Sequence, residues 1–422
     1  MRVCSQDVTN LMSTANSAWD TKERLLSQPR MSPGGIVSAE PVWATEATVC
    51  PPQASLLVRA ATGFMSLWEW CFGAISMIVI LAFLATVPIL NLMSLGYLLE
   101  VGGRIARTGQ FTQGFIGIRK AARIGSIVAG TWLMFLPLRL LSDAWQSAWL
   151  IDPDSRSTKI LWLVTIVATG LVGLHVAWAC YRGGRLHHFI WPAPIRFFKT
   201  IFHGGMYAYA REGTLAFIKE LHLWHYFSLG ARGFFGTLAW LLVPVLWMIG
   251  ARQITEPGIA FLVSLPGMVV FAFVLLYLPF LQAHFAAENR LRALFEVGRV
   301  RRMFRQAPLA WWSALLITLL FALPLYLLKV EMIDREIAWL PSLFFVVFIF
   351  PARVLAGWAL ARAKKREKPA HFLFRWLSRL ATVPVVVSYI FFMYLFLYIS
   401  WRGADSLLEQ HAFLVPVPFL GA

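Results

Sequence analysis

The chain has 422 residues, of which 59% are hydrophobic and 14% charged, with a mean hydropathy of +0.65 and a formal net charge of +17. A soluble domain carries about a quarter charged residues, so the composition excludes a soluble globular protein and points to a bilayer. The surplus lysine and arginine lies in short connectors between apolar runs, which assigns the charge to orientation and anionic headgroups and away from nucleic acid.

Residues 1–65 read as a weakly ordered tail, rich in Ser, Thr, Pro and Gly ("SQPRMSPGGIVSAEP"), without a hydrophobic period. Its first stretch, "MRVCSQDVTNLMSTANSAWD", has no apolar core, so the first apolar run is expected to act as the insertion signal. From Ser66 to Trp401 apolar runs alternate with polar connectors. Since about 20 residues are needed to cross the hydrocarbon, spans are predicted near 71–90, 124–142, 160–180, 233–250, 258–281, 309–328, 338–361 and 380–401. A short tail, 402–422, follows.

The first run, "FGAISMIVILAFLATVPILNLMSLGYLLEVGGRIAR", has two readings because Pro88 and Asn91 fall near its middle. As one span it places the N-terminal tail outside, and this is the reading preferred. As a re-entrant pair of half-helices bent at Pro88–Asn91 it returns to its starting side and keeps the tail inside.

The connectors alternate in charge. Arg104, Arg107, Arg119, Lys120 and Arg123 make the first basic, and "SDAWQSAWLIDPDSRSTK" is balanced. "CYRGGRLHHFIWPAPIRFFKT" is basic, "ARQITEPG" neutral, "FAAENRLRALFEVGRVRRMFRQAPLAWW" basic, "KVEMIDREI" net acidic and "RAKKREKPAHFLFRWLSR" strongly basic. By the positive-inside rule the basic connectors face the cytoplasm and the C-terminal tail ends outside.

The arginine-rich connector has an internal order as well. On a wheel of about 100° per residue, Val297, Val300, Met303 and Phe304 share one flank and Arg299, Arg301, Arg302 and Arg305 the other. That predicts a short helix lying on the membrane, its arginines against anionic lipid headgroups. Gly298 marks a break before it, and Pro308 with Trp311 and Trp312 opens the next span.

The pieces "VPILNLMSLGYLLEVGGRIARTGQ", "GRLHHFIWPAPIR" and "AENRLRALFEVGRVRRMFRQAPLAWW" resemble uncharacterised bacterial multi-pass membrane proteins grouped only as a domain of unknown function. The resemblance spans about residues 70 to 380. It implies a helical fold in a bacterial inner membrane and carries over no catalytic residue.

Few side chains suggest chemistry. His187, His188, His203, His222 and His225 fall in the connector 181–229; His222 and His225, in "ELHLWHYF", are spaced i, i+3 as on one helix face. With Glu212 and Glu220 nearby they are the candidate metal ligands, although no tight ligand motif is present and no cofactor is called. Arg353 lies roughly 13 Å of helix before Arg362, deep enough to mark a solute or partner contact unless Pro351 kinks the helix or the side chain snorkels. Asn91 at the Pro88 break and His175 in the third span are the other candidate contacts, His175 read first as a helix–helix hydrogen-bonding residue. Carboxylates are absent from the middle of every predicted span, which weighs against ion-coupled transport.

The expectation is an all-α polytopic protein of about eight spans with basic interfacial helices on the cytoplasmic side. The leading function is non-enzymatic membrane organisation, with the lipid bilayer, anionic headgroups and other proteins as partners. A passive channel or carrier for a small solute and a lipid-modifying enzyme are the alternatives.

Overall fold

A computed structural model describes residues 56–203, 205–251, 253–327 and 339–399, together with Leu414. Among these residues every regular element is helical. In chain order they are α1 (Leu56–Thr86), α2 (Pro88–Thr108), α3 (Ile118–Ile151), α4 (Arg156–Tyr181), α5 (Leu186–Ile190), α6 (Pro194–His203), α7 (Met206–Glu220), α8 (Leu223–Ala251), α9 (Pro257–Glu288), α10 (Val297–Gln306), α11 (Pro308–Leu327), α12 (Trp339–Lys364) and α13 (Phe372–Ile399). Seven helices in this set are long and apolar enough to cross a membrane, and α11, joined to α10 through a 113° bend, adds an eighth candidate. The all-α polytopic architecture predicted above is therefore the observed one.

The first apolar run departs from its preferred reading. It is two helices, broken at Val87, where Pro88 occupies the first helical position of α2 and removes no needed donor. The two fold back on each other. Tyr97 of α2 donates its hydroxyl to Met77 Sδ of α1 at 2.5 Å, and Trp70 near the start of α1 meets Phe115, beyond the end of α2, at 5.1 Å between ring centroids. Both outer ends of this hairpin thus lie together, as in the bent reading. Yet the arms are not half-helices: Gly63–Thr86 has 24 residues and α2 has 21, about 36 Å and 31 Å of helix. Helix α1 also begins at Leu56, ten residues inside the stretch read as tail, because "LLVRAATGFM" holds no helix breaker before Gly63. Residues 1–55 lie outside the described residues.

Helix α2 is the centre of the bundle. From Ser94 to Ala106 nearly every residue is buried, against α8, α9 and α12. Small residues permit the close approach. A β-carbon on Gly96 would lie 1.8 Å from the Tyr226 carbonyl oxygen, and one on Gly357 of α12 would lie 2.3 Å from the Gly102 carbonyl oxygen. In a bilayer, where lipid tails compete for apolar surface, such backbone proximity is what makes helices associate. Helix α4, by contrast, buries none of its apolar window, so the α3–α4 hairpin is peripheral.

The basic connectors gather at one end. Arg107 Nη1 donates to the carbonyl oxygens of Ala286 and Ala287, at 2.8 and 3.2 Å, joining the end of α2 to the end of α9. Lys120 pairs with Glu220 at 3.4 Å, joining α3 to the close of α7. The Ala370 N–H donates to the Arg305 carbonyl oxygen at 2.9 Å, joining 365–371 to α10. The connectors 152–155 and 253–256 close the opposite ends of their helix pairs.

The acidic connector 328–338 and most of 400–422 lie outside the described residues. Within the stretch read as the tail 402–422, Leu414 is buried in the bundle, its carbonyl oxygen accepting from Gln282 Nε2 at 2.9 Å.

Candidate functional site

At the basic end, α10 has the two flanks the wheel predicts. Val300 is fully buried and Met303 and Phe304 are partly so, while Arg299, Arg301, Arg302 and Arg305 are exposed. The difference lies in what the apolar flank meets. It packs on α9, α11 and α12, so it is held by protein rather than immersed in acyl chains. Trp311 is likewise buried against protein, stacked on Phe280 at 3.8 Å. Close packing of the helix to the bundle leaves its arginines as a fixed row, with no ion partner for Arg301, Arg302 or Arg305 among the described residues. Arg299 and Arg302, with Arg292, Glu296 and Gly298, line an open basin.

Glu296 anchors that basin. Its Oε2 lies 3.1 Å from Nε2 of the fully buried His284 and 3.3 Å from Arg299 Nη1. An ionised carboxylate only accepts, so the His284 proton sits on Nε2. The hydrogen bond from His284, and after it Arg299, holds the Glu296 carboxyl below its ordinary value against a smaller opposing effect of desolvation.

Behind this surface lies an ionic cluster that the sequence reading passed over. Glu100 of α2 is 5% exposed. Its Oε1 accepts from Arg104 Nε at 3.1 Å and from Arg107 Nη2 at 2.6 Å, and its Oε2 lies 3.5 Å from His225 Nε2. The spacing i, i+4, i+7 puts all three α2 side chains on one face. Arg107 thereby spans Glu100 and the last carbonyls of α9. Arg232 of α8 reaches the same terminus, donating to the Asn289 carbonyl oxygen and to Oδ1 at 3.2 and 2.8 Å. Two guanidinium groups thus satisfy a helix C-terminus whose partial charge is negative. Asn289, at φ 53°, is the left-handed cap that ends α9.

A second buried chain crosses the interior. Gln282 of α9 donates from Nε2 to Thr237 Oγ1 at 2.7 Å and to the Leu414 carbonyl oxygen, and its Oε1 accepts from Arg353 Nη1. Both amide protons and the amide oxygen are used. Arg353 is 5% exposed and does not snorkel; Pro351 lies within α12, which continues unbroken past it to Lys364.

The remaining candidates separate. Asn91 is 2% exposed in the first turn of α2, its N–H donating to the Val87 carbonyl oxygen at 2.8 Å. His175 Nε2 meets the Phe189 carbonyl oxygen at 2.6 Å and fastens α5 to α4, the helix–helix role expected of it. His222 and His225 do not share a helix face. His222 stands in the turn before α8 at φ 51°, with Nδ1 2.7 Å from the Glu220 carbonyl oxygen, whereas His225 on α8 turns to Glu100. No group of three or more metal-capable side chains occurs among the described residues.

Compared with family models, with curated proteins and with solved structures, the chain matches none.

Proposed function

We propose that the protein is a non-enzymatic, multi-pass protein of the bacterial cytoplasmic membrane that binds anionic lipid at its cytoplasmic end and organises the membrane, and other proteins, around that contact. The observation that carries this reading is the fixed row of exposed arginines on α10. Held by a buried Val300 and by the Ala370–Arg305 bond, the helix backbone is already ordered when its arginines meet phosphate, so only side-chain freedom is lost. Each charge near an anionic surface contributes about 1 kcal/mol. With four basic connectors at one end, the positive-inside rule turns that end to the cytoplasm.

The test is the lipid that stays with the full-length protein after extraction in mild detergent. Anionic phospholipid should be enriched over its share of the source membrane, and changing Arg292, Arg299, Arg302 and Arg305 to glutamine should bring the retained lipid back to the bulk composition. Retained lipid that mirrors the membrane in the unmodified protein would end this reading. Passage of a small solute is a second reading, favoured by the buried Thr237–Gln282–Arg353 chain; flux into protein-containing liposomes separates the two.

A further inference from the structure

Between α9 and α13 runs a groove of 430 Å³ whose walls include Phe273, Leu276, Val383, Val387 and Ile390 and whose lining includes two arginines, Arg301 and Arg379. The hydroxyl of Thr382, the groove's one small polar side chain, is turned back to the Ser378 carbonyl oxygen at 2.6 Å, so the wall offers an occupant no hydroxyl donor there. Phe273, Val383 and Val387 are exposed, so the groove opens sideways to whatever surrounds the bundle. Arg301 belongs to α10 at the basic end. Arg379 lies in the second turn of α13, over the Phe304 ring at 5.9 Å. Neither arginine has a carboxylate partner among the described residues.

From Thr382 to Ile390 the wall extends about 12 Å along the helix. One leaflet of hydrocarbon is about 15 Å deep, half of a bilayer core. The groove therefore has about the length of one acyl chain in one leaflet, with its two guanidinium groups at the end where α10 and the start of α13 lie.

We infer that this groove is a specific site for a glycerophospholipid with an anionic headgroup, one acyl chain between α9 and α13 and the phosphate between Arg301 and Arg379. The inference rests on the anionic-lipid reading above and adds a stoichiometric site to it. A zwitterionic lipid brings its own cation beside the phosphate and so offers the two arginines no net counter-charge, and a second copy of this chain would need a carboxylate to present to them.

Native mass spectrometry of the full-length protein, titrated with dioleoyl phosphatidylglycerol, dioleoyl phosphatidylcholine and glycerol phosphate, tests it. One phosphatidylglycerol should bind more tightly than any that follow. Arg301→Gln with Arg379→Gln should weaken that adduct roughly thirtyfold, two charges at about 1 kcal/mol each. Val383→Trp, which fills the groove and leaves the charges, should weaken it as well, and phosphatidylcholine and glycerol phosphate should not replace it. A tight adduct that survives both changes, equal binding of glycerol phosphate, or a protein dimer that Val383→Trp dissolves would overturn the site. If Arg292→Gln, Arg299→Gln and Arg302→Gln remove the phosphatidylglycerol preference while the Arg301 and Arg379 pair of changes leaves it, the groove falls and the general reading stands. Equal affinity of the unmodified protein for both lipids overturns both.

Discussion

Gly96 of α2 and Gly230 of α8 meet backbone to backbone, so that a β-carbon on either would lie 1.8 Å from a carbonyl oxygen of the opposite helix. No rotamer change can relieve such a clash; the helices themselves must move. Gly96→Ala or Gly230→Ala should therefore destabilise the detergent-solubilised protein by at least the 1–3 kcal/mol typical of overpacking, read as a lower unfolding midpoint in tryptophan fluorescence. Gly213→Ala, where an added β-carbon meets nothing within 4 Å, is the control and should hold the midpoint or raise it slightly, since alanine suits a helix interior better than glycine. A Gly96→Ala midpoint equal to the control's would show that the crossing is looser than described.

The α1–α2 hairpin makes a prediction about sides. Single cysteines at Gly63 and Thr112, in a background lacking Cys4, Cys50, Cys71 and Cys180, should behave alike, because both lie at the end that holds Phe115. With that end cytoplasmic, both should be shielded from an impermeant thiol reagent in intact cells, as should Gln306 and Lys365. Cysteines at Ser155 and Gln253 should react. Labelling of Gly63 without Thr112 would contradict the hairpin, and the opposite pattern throughout would invert the orientation.

Glu296 links the basin to pH. Its folded pKa is depressed by His284 and Arg299, so its contribution to holding α10 is complete above the ordinary carboxylate value and is lost as pH falls through the lower, folded value. The unfolding midpoint should be insensitive to this group near neutrality and should drop on acidification below the usual carboxylate range. Glu296→Gln should flatten that part of the profile, while a steep acid limb of unchanged size in the variant would assign the titration elsewhere.

How far the sequence could be read depended on the range of each interaction. The alternation of basic and neutral connectors and the two flanks of α10 depend on residues a few positions apart, and both were legible. Helix α2 is legible only in part: the bend at Pro88–Asn91 allows a second arm, but Glu100, Arg104 and Arg107 lower its apolarity and hide that the arm is a full helix of 21 residues. Their i, i+4, i+7 spacing was visible in "EVGGRIAR" and identifies a self-satisfied ionic face, but nothing local shows that Arg107 also reaches Ala286. Gln282 and Thr237 are lone polar residues in apolar runs, and only the bundle shows that they meet. His222 and His225 were paired by spacing alone. The left-handed turn at His222, which breaks the helix between them, has no signature in "ELHLWHYF".

The Gln282–Leu414 hydrogen bond sets an order of assembly. Ribosomes deliver Gln282 long before Leu414, which follows 132 residues later. During that interval α8, α9 and α12 can come together around Gln282, but one of its amide protons lacks its final acceptor in a place where an unmet donor is expensive. The interior is therefore finished only when Leu414 reaches Gln282. A nascent protein stalled before Leu414 would hold all its long helices and still be an unfinished substrate for membrane proteases.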